Sequence, residues 1–407
     1  MTETSFYRAL LKLDTNWNID DVSIDLNSCK IEVHLKYLSS KGICPFTKEV
    51  CNIFDYAPQR KWRHLDTMQY QTWLVTRVPR VINSSGKVST IEVPWADFSD
   101  RYTSLFCVAV IQLLQMTKNQ TKTAKYFKTS FDVVNSIMTK SVARGLATRS
   151  KDTLIESIGI DEKSFKKGHE YCTIITDSTN KRILEVIPER TKEAAKKAIT
   201  KALSPVQQEN LNVVTGDMWE AYQNTVKECL PKATYVLDRF HLIKYLNGAI
   251  DQVRRKEVKQ NPILKNSRFV LLKNEANLTE KQRIKFNIIA QENYLVSHAW
   301  KARENFKAIF GQPDFIHAHN MLSNWFSSLK DYTLKPLIAV KEIFERHRIA
   351  IANSLCHTQS NAYAERMNGS IQELKCIAKG FRNRDNFRIA ILFHHGKLDL
   401  FPTLKFL

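Results

Sequence analysis

Ile158-Gly159-Ile160-Asp161-Glu162 is the stretch on which the fold turns. A short β-branched run, Ser157–Ile160, delivers a carboxylate at its end, and from here the chain reads as alternating strands and helices. Tyr171–Thr176 is a second strand, closed by the turn residues Asp177, Ser178, Thr179 and Asn180, and Arg182–Ile187 is a third. Thr191 predicts an N-cap for a helix over Lys192–Leu203 that stops at Ser204-Pro205. Leu211–Thr215 is a fourth strand, Met218–Leu230 a second helix and Ala233–Leu237 a fifth strand. Residues from about 242 to 350 carry helical patterns rich in Lys and Arg. A last helix covers about Asn361 to Lys379, with Gly380 suited to its C′ position. That order predicts a mixed α/β sheet with helices on both faces, interrupted by an all-helical insertion, with sites where strands end.

Upstream of Asp161 the patterns differ. Residues 1–100 read as strand-rich, through Ser23–Leu26, Lys30–Leu35 and Gln71–Val78. Residues 101–148 read as helices, with Leu105, Val108, Ile111 and Leu114 near helical spacing. Residues 118–142 fit a helix-turn-helix: Gln120–Phe127, then a second helix over Phe131–Ser141 capped by Thr129-Ser130. Ala124 would sit at the helix contact, Val134 and Ile137 would face inward, and Lys128 stands where a turn glycine is common. In such a motif Asp132, Asn135 and Ser136 approach base edges, and Lys122 and Lys125 approach phosphates. A plain helical connector is the other reading.

Composition narrows the class. The 407 residues are 43% hydrophobic and 25% charged, an ordinary globular balance that excludes overall disorder. Lys and Arg number 61 against 41 Asp and Glu, a net charge of +20, which suits a polyanionic partner such as nucleic acid. The longest nearly apolar run, Leu105–Met116, contains two glutamines, so no membrane span is expected, and MTETSFYRALLKLD has no apolar signal region. The eight cysteines form no C-x-x-C pair, which predicts reduced thiols and a cytoplasmic protein.

Asp161 and Asp217 each end an apolar strand, the latter in Val213-Val214-Thr215-Gly216-Asp217. Neighbouring strands would let both carboxylates share a metal. Glu365, in Ser360-Asn361-Ala362-Tyr363-Ala364-Glu365, flanks the apolar stripe Ala364, Met367, Ile371, Leu374 and Ala378 and is the third candidate. Three carboxylates are hard ligands that suit Mg²⁺ or Mn²⁺, and a pair of such ions supports phosphodiester cleavage. No Gly-rich phosphate loop is present, so an ATP-driven engine is not expected.

These stretches together resemble the bacterial insertion-sequence transposases of the DDE class, ISL-three type. The matching segments are Gly159–Glu162, Thr215-Gly216-Asp217-Met218-Trp219, Leu237-Asp238-Arg239-Phe240-His241, and Asn361 through Arg382 with Glu365, Asn368 and Gly380-Phe381-Arg382. Trp62-Arg63-His64-Leu65-Asp66 and Arg77-Val78-Pro79-Arg80 also fit, so the resemblance runs almost the whole length. It implies a ribonuclease H-like core whose catalytic and metal-binding triad falls on Asp161, Asp217 and Glu365, with two Mg²⁺ or Mn²⁺ ions. Asp238 and His241 match a family Cys/Asp-x-x-His element, and Asp238 is either a support or a rival ligand. The helical insertion implied between the fifth strand and the Glu365 helix would bind transposon-end DNA. Arg254, Arg255 and Lys256, with Lys259, Lys265, Arg268 and Lys273, form its basic stretch. Trp300 and Trp325 are either base-stacking platforms or bundle core.

Family members often carry a zinc ribbon of two C-P-x-C elements. Here Cys44-Pro45 remains, Thr47 replaces the second Cys, Ile82–Gly86 replaces the other element, and Cys51 is out of register. The expectation is a degenerate ribbon without zinc, with Arg60, Lys61, Arg63, Arg77 and Arg80 offered as DNA contacts.

The expected organisation is 1–100 (strand-rich), 101–150 (helix-turn-helix), 151–241 (first part of the core), 242–350 (helical insertion) and 351–407 (rest of the core). The expected function is cleavage and strand transfer of double-stranded DNA by a nucleoid-associated homodimer or larger assembly, on transposon ends and a target. A catalytically silent DNA-binding derivative and a ribonuclease H-like nuclease or resolvase are the alternatives.

Overall fold

A helix over Glu3–Leu11 (α1), which the strand-rich reading of the first hundred residues did not anticipate, buries Tyr7 and Leu11 one turn apart. The strands Trp17–Asp25 (β1) and Lys30–Tyr37 (β2) follow, and Ile31, Val33 and Leu35 are buried at every second position. The computed structural model describes residues 3–166, 170–292, 294–330, 333–357 and 362–404. The chain forms two units, residues 1–149 with 377–379 and 398–407, and residues 150–376 with 380–397.

In the first unit the remaining strands are Lys41–Ile43 (β3), Val50–Tyr56 (β4), Arg60–Arg63 (β5), Gln71–Thr76 (β6), Pro79–Ile82 (β7) and Val88–Thr90 (β8). They make two four-stranded sheets, β1-β2-β6-β5 and β3-β4-β7-β8. Trp17, Trp62 and Trp95 meet edge to face in their common core. In the smaller sheet Cys44 opens a tight turn, its N–H donating to the Glu49 carbonyl at 2.9 Å. The Glu49 carboxylate accepts from the Ser84 hydroxyl at 3.0 Å and from Thr47 at 3.1 Å, so hydrogen bonds join the two turns where a ribbon would carry its ligands. Arg63 is corrected as a DNA contact. It is buried, ion-paired to Asp66 and donating to the carbonyls of His64 and Thr72.

Three helices complete this unit: Ser104–Thr117 (α2), Gln120–Tyr126 (α3) and Phe131–Thr148 (α4). Thr103, Asn119 and Ser130 cap them by accepting from Phe106, Lys122 and Val133 N–H groups. Lys128 takes the left-handed conformation, φ +50°, at the turn where glycine is common. The helix α4 runs a turn or two beyond the expected Ser141, because Val142 and Gly145 stay buried on its apolar face. Ala124, Val134 and Ile137 are buried as the motif requires.

In the second unit every apolar run around Asp161 forms a strand: Ser157–Lys166 (β9), Glu170–Asp177 (β10), Arg182–Pro188 (β11), Val213–Gly216 (β12) and Thr234–Leu237 (β13). The sheet order is β11-β10-β9-β12-β13. β9, β10 and β11 pair antiparallel, whereas β9, β12 and β13 run parallel. Positions 172–177 and 183–187 are buried without alternation, so both sheet faces are covered.

Helices between and after the strands are Lys192–Ala202 (α5), capped by Thr191, the short Pro205–Glu209 (α6) and Glu220–Cys229 (α7). The insertion is helical, as expected. It comprises Arg239–Glu257 (α8), Arg268–Leu272 (α9), Glu280–Gln291 (α10), Leu295–Lys307 (α11), Phe315–Ser328 (α12), Lys335–Arg346 (α13) and Arg348–Cys356 (α14). Its apolar faces join the sheet in one continuous core. Ala362–Ile377 (α15) and Arg384–His395 (α16) close the unit. Asn361, the expected start of the Glu365 helix, lies outside the described residues. At the far end the left-handed conformation begins at Lys379, φ +55°, one residue before the expected C′ residue Gly380, which follows at φ +92°. No helix among the described residues is long and apolar enough to cross a membrane.

Candidate active site

Asp161 sits inside β9 rather than after it, because the antiparallel partner β10 continues past it, pairing Ile174 with Asp161 and Thr173 with Glu162. On the other side the parallel ladder with β12 ends at Gly159–Thr215. Asp161 therefore lies just beyond the end of the parallel pairing, where β9 has lost one neighbour. Its Oδ1 accepts from the Glu162 N–H at 2.8 Å, and its Oδ2 accepts from the Asn368 amide at 2.7 Å. Burial pushes its pKa up and Asp217 adds to the rise, while its hydrogen bonds and His241 oppose it.

Asp217 follows the last residue of β12. Oδ1 accepts from the Trp219 N–H at 2.9 Å and Oδ2 pairs with Arg190 Nη2 at 3.4 Å. The Tyr235 hydroxyl, on the neighbouring β13, donates to the Asp217 carbonyl at 2.9 Å. Gly216 makes this possible: a Cβ there would stand 2.3 Å from the Tyr235 oxygen and 3.2 Å from the Ile160 carbonyl.

Asp238 follows the last residue of β13 and caps α8, accepting from the Phe240 N–H at 3.0 Å. Its backbone N–H donates to the Gly216 carbonyl at 2.8 Å, tying it to the Asp217 strand. It is buried, and its Oδ2 has no hydrogen-bonding partner in the described structure. His241 lies in the first turn of the same helix.

Glu365 is exposed in the first turn of α15. Desolvation raises its pKa, and the neighbouring Asp238 carboxylate adds to the rise. Asp161 adds a smaller push and His241 opposes it. The structure thus couples Asp161 to Asp217, and Glu365 to Asp238, Asp161 and His241. Among the described residues no three His, Cys, Asp or Glu side chains are gathered closely enough to hold a metal ion as they stand.

Sequence reasoning missed three members of this site. Glu162 faces Asp217 and Arg190, and burial with Asp217 pushes its pKa to about 7. Arg190, in the connection before α5, spans Glu162 and Asp217. Tyr235 is buried with its hydroxyl against the Asp217 carbonyl, and that desolvation raises its pKa well above the usual phenol value. The Glu162 signal was adjacency to Asp161. Arg190 carried none, because only the sheet order brings its connection to Asp217.

The basic candidates divide. Lys122, Lys125 and Ser136 are exposed, whereas Asn135 accepts from the Gln120 amide at 3.0 Å and so braces the two helices. Arg254 is spent on the buried Asp251, which also takes Arg255 and Arg268, while Arg255 and Lys256 remain exposed. Trp325 is core, its indole N–H donating to the Ala302 carbonyl at 2.9 Å, and Trp300 packs its ring on Phe286. Neither reads as a free stacking platform.

Residues 158–391 match the transposase family of the DDE, ISL3 type. The chain is 24% identical over 372 residues to the transposase for insertion sequence element IS1001 of Bordetella parapertussis, covering 89% of this chain and 90% of that protein. It is likewise 24% identical over 420 residues to the transposase for insertion sequence element IS1557 of Mycobacterium tuberculosis, covering 94% and 93%.

Proposed function

Because the chain belongs to the ISL3-type DDE transposase family, we propose that this DNA transposase binds the terminal inverted repeats of its element and cuts and joins DNA at the Asp161, Asp217 and Glu365 site. The observation that carries this reading is the sheet order β11-β10-β9-β12-β13. It supports a ribonuclease H-like core, since Asp161 and Asp217 stand just past the end of the parallel pairing of β9 with β12. The Asn368 bond to Asp161 and the like-charge influence of Asp238 on Glu365 support α15 as the third wall of the site.

The family works with divalent metal ions. The residues present fit that chemistry: every donor is a hard carboxylate oxygen, the carboxyls raise one another's pKa values, and Asp238 Oδ2 is buried without a partner. Asp161, Asp217 and Glu365 would hold two Mg²⁺ or Mn²⁺ ions, with Asp238 as support or rival ligand. When bound, such ions activate a water or hydroxyl and stabilise the leaving oxygen of the phosphodiester. Within the chain, Asn368 orients Asp161, the Trp219 N–H and Arg190 orient Asp217, and Tyr235 fixes the backbone between β12 and the Asp217 carboxylate.

Residues 101–150 would read DNA, with α4 in the major groove and Lys122 and Lys125 on phosphates. Arg255 and Lys256 would add phosphate contacts from the 242–350 insertion. The hydrogen-bonded turns around Cys44 support a ribbon that stands without zinc. Joining two ends requires at least a dimer on DNA.

The test is cleavage of a labelled duplex carrying the element's end, with Mg²⁺ or Mn²⁺, comparing the protein with Asp217→Ala. Metal-dependent nicking lost in the variant is the expected result. Equal cutting by both would overturn the Asp217 assignment and turn attention to Asp238. Tight end binding without cutting by either would leave a catalytically silent DNA-binding protein.

A further inference from the structure

Arg190 is held in place by its own turn. Glu189 adopts φ +76°, an uncommon conformation for a side chain of its size. Its N–H donates to the Tyr171 carbonyl and its carbonyl accepts from the Thr173 hydroxyl, both at 2.8 Å. Thr191 immediately afterwards caps α5. Pinned on both sides, the chain turns the Arg190 side chain between the middle of β9 and the residue that follows β12. There Nη1 lies 3.2 Å from Glu162 Oε1 and Nη2 lies 3.4 Å from Asp217 Oδ2. The guanidinium carbon sits 4.6 Å over the Trp219 ring, and the Trp219 backbone N–H donates to the other oxygen of Asp217. A planar fork, a stacked face and two carboxylates use the features that distinguish Arg from Lys.

We propose that Arg190 is a resident counter-ion of the acidic site, holding Asp217 through Oδ2 in the metal-free protein and giving up that oxygen when a divalent cation binds. The inference rests on the reading of Asp217 as a metal ligand. Without a cation between them, Glu162 and Asp217 would face each other as like charges in a partly buried site. The geometry is that of an exchangeable partner. The Asp217 arm is the longer of the two, the Arg190 side chain is 31% exposed, and Glu162, held by the shorter arm, keeps the guanidinium nearby after release. Arg190 is therefore a positioning residue with two duties. It keeps an empty carboxylate site from splaying, and it sets the affinity at which a cation enters.

The experiment titrates the full-length protein, without DNA, with Mn²⁺ by calorimetry and by the electron paramagnetic resonance of the bound ion, for the natural chain, Arg190→Gln and Arg190→Lys. Thermal unfolding is followed in chelator and in saturating Mn²⁺. Losing a partly exposed ion-pair competitor predicts Mn²⁺ binding on the order of fivefold tighter in Arg190→Gln. Its melting temperature should fall in chelator and recover with Mn²⁺, and Arg190→Lys should be intermediate in both. Equal or weaker Mn²⁺ binding by Arg190→Gln, or a melting loss unaffected by Mn²⁺, overturns the inference and leaves Arg190 a structural residue. If Arg190→Gln does not fold, Arg190→Lys decides: natural Mn²⁺ affinity despite the lost fork overturns the inference. Failure of the underlying reading looks different. The natural protein would then take up no Mn²⁺, or Asp217→Ala would bind it as well as the natural protein.

Discussion

Gly216→Ala tests how tightly the fold holds Asp217. The added methyl would lie 2.3 Å from the Tyr235 hydroxyl, 3.1 Å from the carbon that bears it and 3.2 Å from the Ile160 carbonyl. Neither neighbour is free to yield, since Tyr235 is buried on β13 beside β12 and the Ile160 carbonyl belongs to the backbone of β9. Overpacking of this kind costs about 1–3 kcal/mol. Driving the phenol aside also breaks its hydrogen bond to the Asp217 carbonyl, worth about 1 kcal/mol. The sum is about 2–4 kcal/mol, and at about 2–4 °C per kcal/mol for a unit of this size the melting temperature should drop by several degrees. Cleavage should fall too, because the displaced backbone carries Asp217. The decisive comparison is the double variant Gly216→Ala with Tyr235→Phe. Removing the hydroxyl takes away the nearest clash, so the pair should be more stable than Gly216→Ala alone, although Tyr235→Phe by itself costs about 1 kcal/mol. Denaturant unfolding of the four proteins measures this. A neutral Gly216→Ala, or strictly additive losses, would refute the reasoning.

Glu162 has a folded pKa of about 7 against an ordinary 4.5, so folding favours its protonated form. In chelator its contribution to stability is complete below pH 4.5 and is lost as pH rises through about 7, and Glu162→Gln should flatten the melting temperature across that window. Arg388 on α16 grips the buried Glu185 with two bonds, 2.6 and 2.7 Å, so Arg388→Ala strands a buried charge. It should cost about 3 kcal/mol in denaturant unfolding, and a loss under about 0.5 kcal/mol would show that the pair is not a structural tie. Asn368→Ala removes the donor to Asp161 Oδ2 and should lower the cleavage rate about tenfold with DNA-end binding unchanged, as read by single-turnover nicking and gel shift. Unchanged nicking would show that Asp161 needs no orienting partner.

Much of this protein is written locally. β-branched runs such as Arg182–Ile187 become strands because their residues suit a sheet covered on both faces, and Thr191, Ser130 and Asn119 cap helices through bonds only a few residues long. The ordered carboxylates Asp161, Asp217 and Glu365, with the excess of Lys and Arg, were legible for the same reason, since residue type and order need no knowledge of distance. Other features depend on which strands become neighbours. Asp161 lies within β9 because β10 pairs past it, Arg190 reaches Asp217 because β12 lies against β9, and Gly216 is required because Tyr235 of β13 points at it. The same holds for the basic residues: sequence counts Arg63 and Arg254 as surface charge, but packing assigns them to Asp66 and Asp251. Composition and local pattern thus determined the elements and the chemistry available. The tertiary structure decided which charges meet, because a charge's energy depends on its distance to others and its access to water, and folding sets both.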